Sequence, residues 1–148
     1  MILSPNCPVI RSDDGTLLET PQSATFITSP APNKGAAEKN RPDELPQIES
    51  TLERRAELVL ALAAGEGYRR LVLGAWGCGV FRNDPQLVAD IWFGLLRSSA
   101  WAGRFEQVRF SVLDTSESGT FNIFQKTCGR SRERAAAAKP GPDRSTLA

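Results

Sequence analysis

The sequence contains no histidine. This absence excludes Ser-His and Cys-His nucleophile pairs formed within the chain. It also excludes a zinc site that is ligated by histidine. A general base in this chain would have to be a carboxylate, a lysine or a less usual group. Enzymes that depend on an imidazole are therefore poor candidates.

Cysteine is also scarce. The three cysteines are Cys7, Cys78 and Cys128, and no Cys-x-x-Cys pair occurs. An odd and widely spaced set argues against a disulfide framework and against a cysteine metal site. It is typical of a reducing compartment. From these residues we predict no metal and no cofactor.

Long apolar runs and an excess of one charge are missing as well. No apolar stretch approaches the roughly 20 residues of a membrane span, and residues 1–6 lack the pattern of a signal peptide. Eighteen basic residues stand against seventeen acidic ones, which gives a net charge of +1. This balance does not favour a nucleic-acid partner. We expect a soluble cytoplasmic protein that binds neither nucleic acid nor a membrane.

The residues that are present predict an α/β fold. The chain has 148 residues, 41% of them hydrophobic, which suits one globular domain. Strands and helices alternate along it, as in layered folds with parallel strands. The predicted elements are a strand at 24–27, a helix from a capping box at 50–53 to Gly65, a strand at 71–73, a helix that starts at Asp84 and Pro85, a strand at 108–113 and a short helix at 121–127.

The remaining segments are predicted to be irregular. Asp13, Asp14 and Gly15 indicate a turn between short extended pieces at 9–10 and 16–18. Residues 35–46 are expected to form a polar loop. Because the predicted sheet has few strands, its edges would be exposed unless a missing part or a partner covers them.

A glycine-rich loop follows the strand at 71–73. Residues 74–83 include three glycines, which allow backbone to approach a ligand closely. Successive N–H groups and the start of the next helix could bind an anion. The loop at 114–119 follows the next strand and is expected to lie nearby. A phosphate or diphosphate site is one interpretation, and a purely structural turn is equally compatible. The Walker A and Rossmann patterns do not fit.

Four side chains of the loop have two interpretations each. Cys78 could be a nucleophile, but without histidine a packing role is favoured. Trp76 and Phe81 could stack on a ligand or anchor the loop in the core. Arg82 could meet a phosphate, although a solvated arginine is more common at such a place.

The loop sequence LVLGAWGCGVFRNDP resembles the microbial-type poly(ADP-ribose) glycohydrolase family, a branch of the macrodomains. The segments SPNCPVIRSDDGTLLETP, ITSPAPN and RFSVLDTSESGTFNIFQ extend the resemblance over about residues 3–128. It implies a partial three-layer α/β/α domain with a mostly parallel sheet, and ADP-ribose or an ADP-ribosylated protein as partner. The loop would hold the diphosphate and ribose. The implied ligand-binding residues are Gly74, Ala75, Trp76, Gly77, Cys78, Gly79, Val80, Phe81 and Asn83.

The sequence departs from the family at its catalytic segment. The family uses a glycine triplet followed by paired glutamates, and this chain has neither Gly-Gly-Gly nor Glu-Glu at any position. The resemblance therefore implies the carboxyl-terminal part of such a domain, at 1–128, with a disordered tail at 129–148 and no catalytic residue. The alternatives are a binding module without catalysis, or half of a split enzyme that a partner chain completes.

Overall fold

The computed structural model describes residues 1–114 and 119–137. They form two compact units, Met1–Pro30 and the residues from Ala31 onward. The elements in chain order are β1 (Ile2–Arg11), β2 (Leu17–Thr28), α1 (Lys34–Asn40), a 3₁₀-helix (Pro42–Gln47), α2 (Ile48–Gly65), β3 (Arg70–Gly74), α3 (Pro85–Arg97), β4 (Gln107–Ser111) and α4 (Thr120–Ala137). In the part of the chain described, no helix is both long and apolar enough to cross a bilayer.

The first unit is a β-hairpin. β1 and β2 pair in antiparallel fashion, with Ile2 opposite Thr28 and Arg11 opposite Leu17. The predicted turn at 13–15 is confirmed: Asp14 Oδ1 accepts hydrogen bonds from Ser12 Oγ at 2.6 Å and from Thr16 N at 2.9 Å. The strand predicted at 24–27 is part of β2. Its partner is β1, so its assignment to the parallel sheet was wrong.

The parallel sheet of the second unit has two strands in the part of the chain described. β3 and β4 pair in parallel, with Leu71 opposite Val108 and Leu73 opposite Phe110. The Phe110 ring lies 4.7 Å from that of Phe93 on α3 and 5.7 Å from that of Phe124 on α4, measured between centroids. These rings cover one face of the sheet. The α/β class and the parallel pairing are confirmed, and the three-layer arrangement stays a prediction.

Helix α2 carries the predicted apolar face. Its buried side chains are Leu52, Ala56, Val59, Leu60 and Ala63, which recur at helical spacing. The predicted capping box is wrong, because the helix begins two residues earlier at Ile48 and Ser50 Oγ donates to the carbonyl of Gln47. The predicted stop is confirmed, since the helix ends at Gly65 and Gly67 has a φ of 79°.

Two further predictions are corrected. Residues 35–46 lie in two helices joined at Arg41 instead of in a loop, because Asn33 caps α1 by accepting from Ala36 N at 2.9 Å and Pro42 begins the 3₁₀-helix. Helix α4 continues to Ala137, past the predicted end near Thr127. Alanine and arginine are strong helix formers, which accounts for the extension. The rest of the predicted tail, 138–148, lies outside the described residues.

Candidate ligand-binding loop

The glycine-rich loop joins the end of β3 to the start of α3. Gly74 is the last residue of β3, and Asp84 caps α3 by accepting a hydrogen bond from Gln86 N at 2.9 Å. Pro85 is the first helical residue. The predicted start of this helix is therefore confirmed. All nine candidate residues lie on this one connection, which leads into a helix N-terminus and its unpaired N–H groups.

Two glycines of the loop are required by its geometry. Gly77 has a φ of 74°, and a Cβ there would lie 2.6 Å from the Ala31 Cβ and against the side-chain amide of Asn83. A Cβ at Gly74 would lie 2.9 Å from the carbonyl oxygen of Ser111 on β4. Neither position has room for a side chain. Gly74 and Gly77 are therefore required by the shape of the loop itself, whether or not the loop binds a ligand.

The buried side chain of Asn83 supports the loop through hydrogen bonds. It is only 2% exposed, and its Nδ2 donates to Pro32 O at 2.9 Å and to Gly77 O at 3.2 Å. Gly35 N adds a bond of 3.0 Å to Phe81 O. Residues 31–35 thus form the support of the loop. The sequence predicts no such role for this segment, because a contact across about fifty positions has no local signal.

Free hydrogen-bond donors lie at the tip of the loop. Cys78 N donates to Ala75 O at 3.1 Å and Arg82 N donates to Gly79 O at 2.9 Å, so these two donors are used within the loop. Among the described residues, no acceptor meets the N–H groups of 79–81. Val80 is 91% exposed, and the space around Gly79 is open. The tip can therefore offer consecutive N–H groups to an anion.

The two aromatic side chains of the loop, Trp76 and Phe81, have different surroundings. The rings of Trp76 and Trp92 lie 5.9 Å apart at an angle of 49°, and Trp92 is buried on α3. This contact favours the anchoring interpretation for Trp76. Phe81 is half-buried, and this burial leaves both of its interpretations open. Arg82 is exposed with a φ of 59°.

The thiol of Cys78 is unsuited to nucleophilic attack. Burial, together with the negative charge of Asp84, raises the pKa of Cys78 from 9.0 to about 11. A thiol with this pKa is protonated at neutral pH, whereas the thiolate is the reactive form. The packing interpretation of Cys78 is therefore favoured.

The connection after β4 was expected to lie next to this loop. Gly74 pairs with Ser111, so the carboxyl ends of β3 and β4 lie side by side. Asp114 Oδ2 accepts a hydrogen bond from Phe121 N at 2.9 Å, which occupies this carboxylate at the start of α4. Residues 115–118 of the predicted loop lie outside the described residues. No group of three potential metal ligands occurs in the part of the chain described.

The chain is similar to solved bacterial proteins. The structure of poly(ADP-ribose) glycohydrolase from Deinococcus radiodurans in complex with ADP-ribose matches 86% of this chain at 46% identity, with a TM-score of 0.83, and 52% of that chain is covered. The enzyme from Thermomonospora curvata matches 84% of this chain at 47% identity, with a TM-score of 0.77 and 46% of that chain covered. No protein-family model and no curated protein matches. The chain spans about half the length of these solved relatives, and the resemblance derived from the loop motif is confirmed.

Proposed function

Since the chain is a homologue of bacterial poly(ADP-ribose) glycohydrolases over about half of their length, we propose that it binds ADP-ribose and does not hydrolyse poly(ADP-ribose) by itself. The ligand would be free ADP-ribose or an ADP-ribosylated protein. The binding residues would be those of the loop at 74–81, with Asn83 as its anchor. A reducing, cytoplasmic setting is part of the same proposal and derives from the sparse cysteines.

The observation that carries the proposal is the tip of the loop. The N–H groups of 79–81 are accessible and have no acceptor among the described residues. They precede the N-terminus of α3, whose dipole favours negative charge. A diphosphate brings two negative charges and several acceptor oxygens to such donors. The Deinococcus radiodurans enzyme was crystallised in complex with ADP-ribose, and it is 46% identical to this chain over the matched region.

The residues around the loop support binding without catalysis. Asp84 caps α3 and Asp114 accepts from the backbone at the start of α4, so both nearby carboxylates hold backbone in place. The raised pKa of Cys78 leaves this residue protonated at neutral pH. The sequence has no Glu-Glu pair and no histidine to donate a proton to a leaving oxygen. What remains is the ability to bind and orient a diphosphate.

Isothermal titration with ADP-ribose tests the binding. Gly79→Val places a branched side chain at the open tip, where the N–H groups face the ligand, and we expect ADP-ribose binding at least tenfold weaker. Gly94→Ala is the matched control, since Gly94 lies on α3 with no atom within 4 Å of an added Cβ. The control should bind as the unchanged chain does. Equal affinity for all three proteins, or no binding by any, would overturn the proposal.

A second candidate is half of a split enzyme that a partner chain completes. The observation that favours it is the parallel sheet, which has two strands in residues 1–114 and 119–137, because parallel sheets are normally larger and covered on both faces. Incubation of the purified chain with poly(ADP-ribose) separates the two candidates. Release of ADP-ribose by the chain alone would contradict both. Release only after a partner is added would favour the split enzyme.

A further inference from the structure

We propose that the pocket between α1, the 3₁₀-helix and α2 is a second anion-binding site, which takes the diphosphate group of a free ester or of a polymer. None of the residues 74–83 of the glycine-rich loop lines this pocket. The inference therefore goes beyond the proposed function and does not depend on it, because either site could bind an anion without the other.

The pocket has a volume of about 490 Å³. Its lining comes from residues 31–33, from α1, from the 3₁₀-helix and from the first two turns of α2. A cavity of this volume lies in the range of sites that bind small molecules. Among the described residues that line it, none is aromatic, so the pocket offers no ring on which a base could stack. The lining therefore suits a polar group better than a nucleobase.

The charge of the lining is positive, since it contains three arginines and one glutamate, which are Arg41, Arg54, Arg55 and Glu44. Arg41 Nη1 donates to Glu44 Oε1 at 2.7 Å, and this bond uses one of the five N–H donors of the guanidinium. Arg54 is exposed and forms no ion pair within the described part of the chain. Guanidinium groups bind phosphate through two parallel N–H···O bonds. The arginines therefore favour a phosphate group over a neutral ligand.

The amino-terminal end of α2 adds to this preference. Gln47, Ile48 and Thr51 line the pocket, and the side chain of the cap residue Gln47 makes no capping hydrogen bond. The positive end of the helix dipole favours a negative charge nearby. The Thr51 hydroxyl and the side-chain amides of Asn40 and Gln47 are further donors of the lining. The pocket thus combines charged and neutral donors, as the several acceptor oxygens of a diphosphate require.

The pocket and the glycine-rich loop share a support but no binding groups. Pro32 lines the pocket, and its carbonyl oxygen accepts the hydrogen bond of 2.9 Å from Asn83 Nδ2 that holds the loop. Substitutions on α2 leave this hydrogen bond in place. The two sites can therefore be disabled one at a time.

Isothermal titration of the full chain with inorganic pyrophosphate tests the pocket. The Gly79→Val chain is the reference, because the tip of its loop is obstructed. In this background Thr51→Glu places a carboxylate in the pocket, and the protein should stay folded because an acidic residue in the first turn suits a helix. Arg54→Gln removes one charge from the lining. Arg104→Gln is the matched control, since Arg104 is also an exposed arginine and lies outside the pocket.

We expect the Gly79→Val chain to bind one pyrophosphate. Thr51→Glu should weaken this binding at least tenfold and Arg54→Gln at least threefold, whereas Arg104→Gln should leave it unchanged. Thermal unfolding checks that each variant is folded. No binding by the Gly79→Val chain, or equal affinities for Arg54→Gln and Arg104→Gln, would overturn the proposal.

Competition with ADP-ribose and with poly(ADP-ribose) separates the two sources of the diphosphate. Displacement of pyrophosphate from the Gly79→Val chain by ADP-ribose would assign a free ester, and displacement by the polymer alone would assign a polymer. Displacement by neither would contradict the proposal. An affinity for ADP-ribose that Thr51→Glu lowers and Gly79→Val leaves unchanged would support the pocket and contradict the proposed function.

Discussion

The two compact units of the chain are built by different means. The hairpin of Met1–Pro30 contains no fully buried residue, and large apolar side chains such as Ile2, Leu17 and Phe26 are exposed. The unit from Ala31 onward buries Leu52, Leu60 and other side chains almost completely. Strand pairing and turn hydrogen bonds shape the hairpin, whereas apolar packing shapes the second unit. Since burial of apolar side chains is the main stabilising term in folding, we expect most of the chain's stability to lie in the second unit.

The largest expected effect of a substitution is in the core of the second unit. Leu60→Ala removes a side chain with no exposed surface and leaves a cavity, which should lower the free energy of unfolding by about 2–5 kcal/mol. Leu17→Ala in the hairpin, where the side chain is 61% exposed, should change it by less than about 0.5 kcal/mol. Urea unfolding followed by tryptophan fluorescence measures both. Equal losses of unfolding free energy in Leu60→Ala and Leu17→Ala would contradict the proposed difference in packing between the two units.

Substitutions of two glycines with positive φ, one in each unit, give a second comparison of the two units. Gly77→Ala adds both left-handed strain and contacts with Ala31 and Asn83, which should cost about 2–4 kcal/mol. Gly15→Ala at the hairpin turn meets open space and adds the strain alone, about 1–2 kcal/mol. Thermal unfolding measures the loss of stability in Gly77→Ala. Amide exchange of the hairpin measures the local loss in Gly15→Ala. A Gly77→Ala protein as stable as the unchanged chain would show that the loop is not packed against its support.

The two units also differ in pH dependence, and the expected effects have opposite signs. Hydrogen bonds from Ser12 and Thr16 hold the pKa of Asp14 below 3.8, so its contribution to the hairpin is present above pH 3.8 and is lost as the pH falls through the folded value. The raised pKa of Cys78 stabilises the second unit below pH 9.0, and this contribution is lost as the pH rises to about 11.

Each titration can be followed at its own residue. For Asp14, NMR of the side-chain carboxyl should give a midpoint below 3.8. For Cys78, the alkylation rate in a variant with Cys7→Ser and Cys128→Ser should reach half its maximum near pH 11. A Cys78 thiol that reacts fully at pH 8 would contradict the packing interpretation and would restore the nucleophile interpretation.

Local patterns predicted the parts of the fold that local physics determines. The face of α2, the cap at Asp84 and the turn around Asp14 each depend on a few neighbouring residues, and each is confirmed. The partner of the strand at 24–27 was wrong, because strand pairing is decided by distant residues. The short helix α1 was missed because seven residues that begin at Lys34 show no apolar period.

The candidate site was located by its glycines, but its construction was not predicted. Glycine spacing and the following helix placed the loop correctly between β3 and α3. The support from Pro32 and the buried position of Asn83 depend on a contact between distant segments. The availability of N–H groups at 79–81, and the internal use of the donor of Cys78, depend on backbone angles that residue types alone do not determine.

A thermal unfolding measurement with and without millimolar ADP-ribose tests the central claim most directly. A ligand that binds only the folded state raises its stability by mass action. The account predicts a cooperative transition that moves to higher temperature with ADP-ribose and moves much less for Gly79→Val. A cooperative transition that ADP-ribose leaves unchanged, or no cooperative transition in either sample, would contradict it.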